Sequence, residues 1–251
     1  FVPPNTASFD LDGNVWYTTY TDVFKVFEDT CQKVTNQSNS NPQFQHQNIK
    51  DQNGTVWAES FKTEVYQLQD SSIKMFKLLP FTYDSSKFQC TVIFIDSDNN
   101  ILFNYQGYDD NWNKITSNKY YNLYFLNTKT KIIDTLNIPI KPSIAQVLKR
   151  KNKIYLLENA YPLNKLFVYD LSSKSYSTHN NSSYYDWMFL SPLNDIILYK
   201  KGEKTEGESD NLKIIKSDES SLKISFKTKK AKKIIMDKKG NIWVASNFNL
   251  T

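Results

Sequence analysis

Three stretches of this chain share one pattern, an Asp-x-x-Gly turn followed by a strand with Trp at its second position. They are DLDGNVWYTT from Asp10, DQNGTVWAES from Asp51 and DKKGNIWVAS from Asp237. A weaker copy, DSDNNILFNY, begins at Asp96, and two degenerate copies, KRKNKIYLLE and SPLNDIILYK, begin at Lys149 and Ser191. Aligned three residues past the turn residue, the anchors are Trp16, Trp57, Leu102, Tyr155, Ile197 and Trp243, separated by 41, 45, 53, 42 and 46 residues. Short strands repeating every ~40–50 residues are the pattern of propeller blades, each of about four strands. The expected fold class is therefore all-β, a β-propeller with about six four-stranded repeats of ~45 residues, the sixth incomplete.

The chemistry of the turn supports that frame. An Asp side chain can accept hydrogen bonds from backbone N–H groups two or three residues on and so closes the turn. Gly13, Gly54 and Gly240 supply a positive φ, and Asn99, Asn152 and Asn194 are the tolerant substitutes in the other copies. The strand that follows is apolar on both sides, as in Val15–Trp16–Tyr17 and Ile242–Trp243–Val244, whereas a strand with one wet face would alternate. Trp16, Trp57 and Trp243 are accordingly expected to be buried between successive blades, and not to form a ligand-stacking ring.

Further strands follow each anchor: DVFKVFE from Asp22, EVYQLQ from Glu64, YYNLYFLN from Tyr120, KLFVYDL from Lys165 and NLKIIKS from Asn211. More polar fourth strands suit an outer edge, where Lys discourages foreign pairing: IKMFKLL from Ile73, KIIDTLNI from Lys131 and LKISFK from Leu222. No segment holds apolar residues at helical spacing for three turns, so little helix is expected. The repeats divide the chain at approximately 7–47, 48–88, 89–142, 143–182, 183–228 and 229–251, all within a single propeller domain or part of one.

The net charge of +5 is spread along the chain and concentrated only at KTKKAKK (227–233), which reads as a solvated edge and not as a nucleic-acid footprint. No run of 18 apolar residues is present, so any membrane attachment is expected to come from other parts of a parent protein. The chain starts without Met and stops within the sixth repeat, and the expectation is of a piece of something longer. Cys31 and Cys90 lie in different repeats and are not expected to pair. The Asn-x-Ser/Thr sequons at Asn36, Asn53, Asn180, Asn181 and Asn249 follow from an Asn-rich composition.

Catalytic patterns are scarce. His46 and His179 are expected in polar loops without ligand-spaced partners, and no phosphate loop, Gly-x-Ser-x-Gly elbow or Cys-x-x-Cys pair occurs. The expectation is of no catalytic residue, no metal and no cofactor. Two polar stretches, 36–48 and 200–211, are expected to be mobile, because neither buries enough to offset ordering entropy. In the cluster 182–189, Tyr184, Tyr185 or Trp187 could reach an end face, although at least one must pack into blade five. The longest gap holds YQGYDDNWNKITSNKYY (105–121), where Tyr105, Tyr108 and Trp112 mix with Asp109 and Asp110. Aromatic faces beside carboxylates suit a sugar, with rings stacking on C–H groups and oxygens bonding hydroxyls, so these five residues are the candidate ligand site.

The pattern of 237–246, with its copies at 10–19 and 51–60, resembles the two-component regulator propeller repeat, which builds periplasmic sensor domains of bacterial hybrid two-component systems. Three copies match well. The third strand departs from the family, because YTDVFKVF and FKTEVYQL lack its Gly-Leu start. The resemblance implies a non-enzymatic periplasmic or extracellular sensing domain. Its parent would carry a membrane span, a kinase or DNA-binding output, and a possible homodimer contact. The implied ligand is a small molecule or oligosaccharide. No site residue carries over, because the repeat motif is structural. Alternatives are a propeller enzyme, such as a lyase or lactonase-like hydrolase, and a protein-interaction scaffold.

Overall fold

The computed structural model describes residues 6–34, 43–60, 63–70, 72–78, 88–107, 123–139, 144–158, 165–178, 185–200, 210–226 and 231–246. Every regular element among them is a strand, and each sheet runs antiparallel in chain order. The chain comprises two compact units, Phe1–Asn137 and Ile138–Thr251.

The first unit holds three four-stranded blades. Blade one is β1 (Thr6–Phe9), β2 (Val15–Thr18), β3 (Val23–Phe27) and β4 (Thr30–Val34). Blade two is β5 (Phe44–Lys50), β6 (Val56–Ser60), β7 (Glu64–Gln69) and β8 (Ser72–Lys77). Blade three is β9 (Phe88–Ile95), β10 (Ile101–Gly107), β11 (Leu123–Asn127) and β12 (Ile132–Leu136). These are the serial antiparallel sheets of a β-propeller.

In each blade the turn before the second strand is built around one side chain. Asp51 Oδ1 accepts the backbone N–H groups of Asn53 (2.8 Å) and Thr55 (2.9 Å), while Oδ2 accepts the indole Nε1–H of Trp57 at 2.9 Å. Asp10 repeats this with Asp12, Asn14 and Trp16. In blade three, Leu102 replaces the Trp, and Asp96 Oδ2 takes the Asn100 amide at 3.0 Å, as Asp10 Oδ2 takes that of Asn14. Gly54 has φ +79°, and a Cβ there would lie 2.5 Å from the Leu11 side chain, so both conformation and room ask for Gly. Trp16 and Trp57 are thereby aimed forward at the next blade. Trp16 packs among Phe44, Val56, Ala58 and Tyr66 of blade two, and Trp57 among Ile95, Ile101 and Phe103 of blade three. Polar ties reinforce the same contacts, such as Lys25 Nζ to Asp70 at 2.6 Å and Asn53 Nδ2 to the Ser97 carbonyl at 2.8 Å.

The second unit holds blade four, β13 (Ile144–Arg150), β14 (Lys153–Glu158), β15 (Leu166–Asp170) and β16 (Ser175–Thr178). Blade five is β17 (Trp187–Leu190), β18 (Ile196–Lys200), β19 (Asp210–Ile215) and β20 (Ser221–Phe226), and blade six shows β21 (Ala231–Met236) and β22 (Ile242–Ser246). Ser191 does the work of Asp in blade five, its Oγ accepting from the N–H groups of Leu193 and Asp195. Blade four departs further. Arg150 pairs with Lys153 across a two-residue turn, and positive φ falls on Lys151 (52°) and not on the expected Asn152. The buried Arg150 guanidinium reaches across to blade five, donating to the carbonyls of Ile215 (2.8 Å) and Lys216 (3.0 Å) and to Glu219 (3.0 Å). It also donates to the Tyr155 hydroxyl at 3.3 Å, so Arg–Tyr stands where Asp–Trp stands elsewhere.

Three expectations need correction. Trp243 keeps its bond to Asp237 (3.2 Å) but is 60% exposed, against 2% for Trp16 and 0% for Trp57. Its indole face has no sheet packed over it among the described residues, and the hydrogen bond alone does not bury it. Residues 44–48, taken as part of a mobile crossing, belong to β5, so His46 lies in a strand and not in a loop. Residues 200, 210 and 211, taken as part of a mobile insertion, belong to β18 and β19. Those strands bury Ile196–Tyr199 and Leu212, Ile214 and Ile215, which offsets the ordering entropy. Residues 201–209 and His179 lie outside the described residues.

The burial contrast sets a test. Trp57→Ala is expected to lower stability by about 3–5 kcal/mol in denaturant titration. Trp243→Ala is expected to stay within about 1 kcal/mol of the parent. Equal losses at the two positions would contradict the packing described here.

Candidate functional site

The residues expected to form a sugar site are only marginally placed. Tyr105 lies in β10 with its backbone paired to Cys90, while Tyr108, Asp109, Asp110 and Trp112 lie outside the described residues. The turn carboxylates are engaged in turn closure: Asp10, Asp51, Asp96 and Asp237 each accept two backbone N–H groups. The Asn241 side chain leads a set of donors that hold the Asp237 carboxyl below the usual carboxylate value. Among the described residues no group of three or more His, Cys, Asp or Glu could hold a metal ion. Cys31 and Cys90 are both free.

Tyr185 and Trp187 both pack inward. Tyr185 joins the core shared by blades four and five, and Trp187 lies 5.1 Å from the Tyr199 ring. Tyr184 lies outside the described residues.

Unit one contains a buried acid that the sequence did not single out. Glu59 on β6 is 2% exposed, and its carboxylate accepts the backbone N–H of Val92 on the neighbouring blade. Burial pushes its pKa up to about 7, with the Val92 bond opposing. The adjacent Cys90 thiol is pushed up to about 12 by burial and by the Glu59 charge, so it stays protonated and unreactive.

Unit two contains an open groove. A cleft of about 450 Å³ is lined by Tyr185, Lys200, Asn211, Leu212, Lys213, Ser221 and Lys223. A second hollow of about 250 Å³ shares Lys213 and Ser221 and extends to Lys153, Tyr155 and Val168 of blade four. The volume falls in the range of small-ligand sites. Three lysines reach the larger cleft, and burial holds the Lys213 ammonium below the ordinary lysine value. A groove with cationic, amide and hydroxyl groups can bind a polar ligand through charge-assisted hydrogen bonds. Individual lysines in polar strands carry no sequence signature, but aligned third strands would have exposed the odd residue at 213.

No family model matches this chain, and no curated protein matches it. Among solved structures it is similar to dipeptidyl peptidase 4 from Porphyromonas gingivalis, at 11% identity and TM-score 0.56 over 96% of this chain and 42% of that one. It is also similar to an oligogalacturonate lyase in complex with manganese, at 8% identity and TM-score 0.50 over 86% of this chain and 63% of that one. The extracellular domain assigned to a hybrid two-component system of B. thetaiotaomicron aligns at 15% identity and TM-score 0.41, over 96% and 36%. The chain spans less than two thirds of each of these proteins. The class defined is a β-propeller, and at these identities the likeness extends to the fold alone.

Glu59 gives a pH test. Its folded pKa lies above the ordinary 4.5, so the native state holds the proton more tightly than the unfolded chain. That preference stabilises the fold fully below about pH 4.5 and is lost as pH rises through about 7, an effect of at most ~3 kcal/mol. Glu59→Gln is expected to flatten stability between pH 5 and about 7.5 and to melt above the parent at pH ~8. Parallel pH profiles for the two proteins would show that Glu59 titrates as an exposed acid.

Proposed function

We propose that this chain is an extracytoplasmic ligand-sensing domain of a signalling protein, one that binds glycan fragments without transforming them. The observation that carries the reading is the groove of blade five, where lysines, an amide and hydroxyls line about 450 Å³ of open volume, next to a second hollow that reaches blade four. Two further features support it. The repeated Asp residues are committed to turn closure, which leaves the motif structural. The sequence pattern also resembles the sensor-type propeller repeat. Blade edges that carry ligand groups on rigid strands suit a sensor, because binding there bears on the packing of two neighbouring blades at once.

Calorimetric titration with a panel of oligosaccharides tests the reading. Saturable binding without turnover is expected, and hydrolysis or elimination of any bound glycan by the isolated chain would replace a sensor with an enzyme. Trp112→Ala, checked by thermal melting to be folded, is expected to leave the affinity unchanged if the groove is the site. A marked loss would move the site to the 105–121 segment.

A further inference from the structure

The strand register contains one residue out of keeping with its four counterparts. In the third strand of each blade, the residue just before the one facing the anchor is Phe24, Tyr66, Tyr124 and Phe167 in blades one to four. In blade five it is Lys213, opposite Leu198 on one side and Lys223 on the other. In blades two and three this position points back toward the preceding blade. Tyr66 fills the core around Trp16, and Tyr124 packs against the cluster that contains Trp57. In blade five the ring is missing and the groove stands where it would be, while a second hollow that also touches Lys213 reaches Tyr155 and Val168 of blade four.

The replacement works against stability. Two lysines lie directly opposite one another across β19 and β20, an arrangement that repels. Among the described residues the side chains of Lys200, Lys213 and Lys223 make no ion pair or hydrogen bond, although Lys153 nearby pairs with Glu219 at 3.1 Å. Burial also penalises the Lys213 charge. An aromatic side chain would fill the gap and remove the repulsion. The arrangement makes physical sense when an anion supplies the absent counter-charge.

We propose that the blade-five groove binds an acidic saccharide, its carboxylate or sulfate groups held by Lys213 and Lys223 with Lys200 alongside, and Asn211 and Ser221 bonding hydroxyls. This rests on the glycan-sensing reading and names the ligand class. Lysine offers point charges without the planar fork of Arg, so it tolerates carboxylate and sulfate alike. The groove accommodates a few sugar units, and affinity for such a ligand falls as salt screens the exposed part of the site.

The test uses the whole chain and four probes: a uronic-acid trisaccharide, a sulfated disaccharide, a neutral trisaccharide and a single-stranded oligonucleotide. One or both acidic saccharides are expected to bind and the neutral one not, with affinity falling in ~0.5 M salt. Which of the two binds more tightly tells carboxylate from sulfate. Lys213→Gln, which keeps most of the aliphatic stem, is expected to weaken binding by about tenfold or more. Lys213→Tyr is expected to abolish binding while raising the melting temperature by about 4 °C, because it restores the ring. Neutral-sugar binding untouched by Lys213→Gln would overturn the acidic-ligand inference and leave the glycan-sensing reading standing. Oligonucleotide binding that depends on Lys213 would make the groove a nucleic-acid site and overturn both. Failure of every acidic probe at millimolar concentration, or a Lys213→Tyr protein no more stable than the parent, would likewise overturn the inference.

Discussion

A single carboxylate organises each well-formed blade. One oxygen of Asp51 closes the turn by accepting two backbone N–H groups, and the other fixes the Trp57 indole. Local and tertiary structure are thus set by one side chain. The turn places the second strand, and the indole bond selects the direction in which the ring projects. Because that direction is forward, Trp16 becomes part of the core of blade two and Trp57 part of the core of blade three. Without the carboxylate, a buried indole N–H would lack its acceptor and two turn amides would lose theirs, and each such loss is costly in a dry core.

The same task is met differently where the motif decays. In blade four, Arg150 and Tyr155 replace Asp and Trp, and the tie between blades is made by guanidinium bonds to the Ile215 and Lys216 carbonyls. Blade five closes its turn with Ser191 and anchors with Ile197, which packs on Ile234 and Met236 of blade six. The forward contact therefore recurs in blades one, two, four and five, and its chemistry is negotiable. Lys213 breaks a different regularity, the backward-pointing ring of the third strand. Its cost to packing is what makes the groove a candidate for binding, since sites that violate the local rules of a repeat are where function is expected to sit.

The blade pattern was legible in the sequence because its signals are local. An Asp, a residue tolerant of positive φ and an apolar strand at fixed offsets specify a turn without knowledge of any neighbour. The third strands EVYQLQ and KLFVYDL were legible for the same reason, through their β-branched and aromatic content. Burial of Trp243 was not, because exposure depends on what packs over a strand, and the motif is the same whether covered or open. The polar neighbours of His46 suggest a loop, yet backbone pairing of β5 with β6 holds it in a sheet. The groove is not legible in the sequence, because it is defined by a missing ring, and an absence becomes visible only once the register of all blades is known. Glu59 was missed because a lone acid in a strand acquires its shifted pKa from burial alone.

The most direct measurement of the central claim is a pair of double-mutant cycles, Asp51→Ala with Trp57→Phe and Asp237→Ala with Trp243→Phe, read by denaturant unfolding. The buried carboxylate–indole bond at 51/57 is expected to show a coupling of about 1.5–3 kcal/mol, the range for hydrogen bonds to charged groups. The exposed pair at 237/243 is expected to show coupling near zero, within the ~0.5 kcal/mol of simple additivity. Additive losses at 51 and 57 would mean that turn and anchor act independently, and that one carboxylate does not organise the blade.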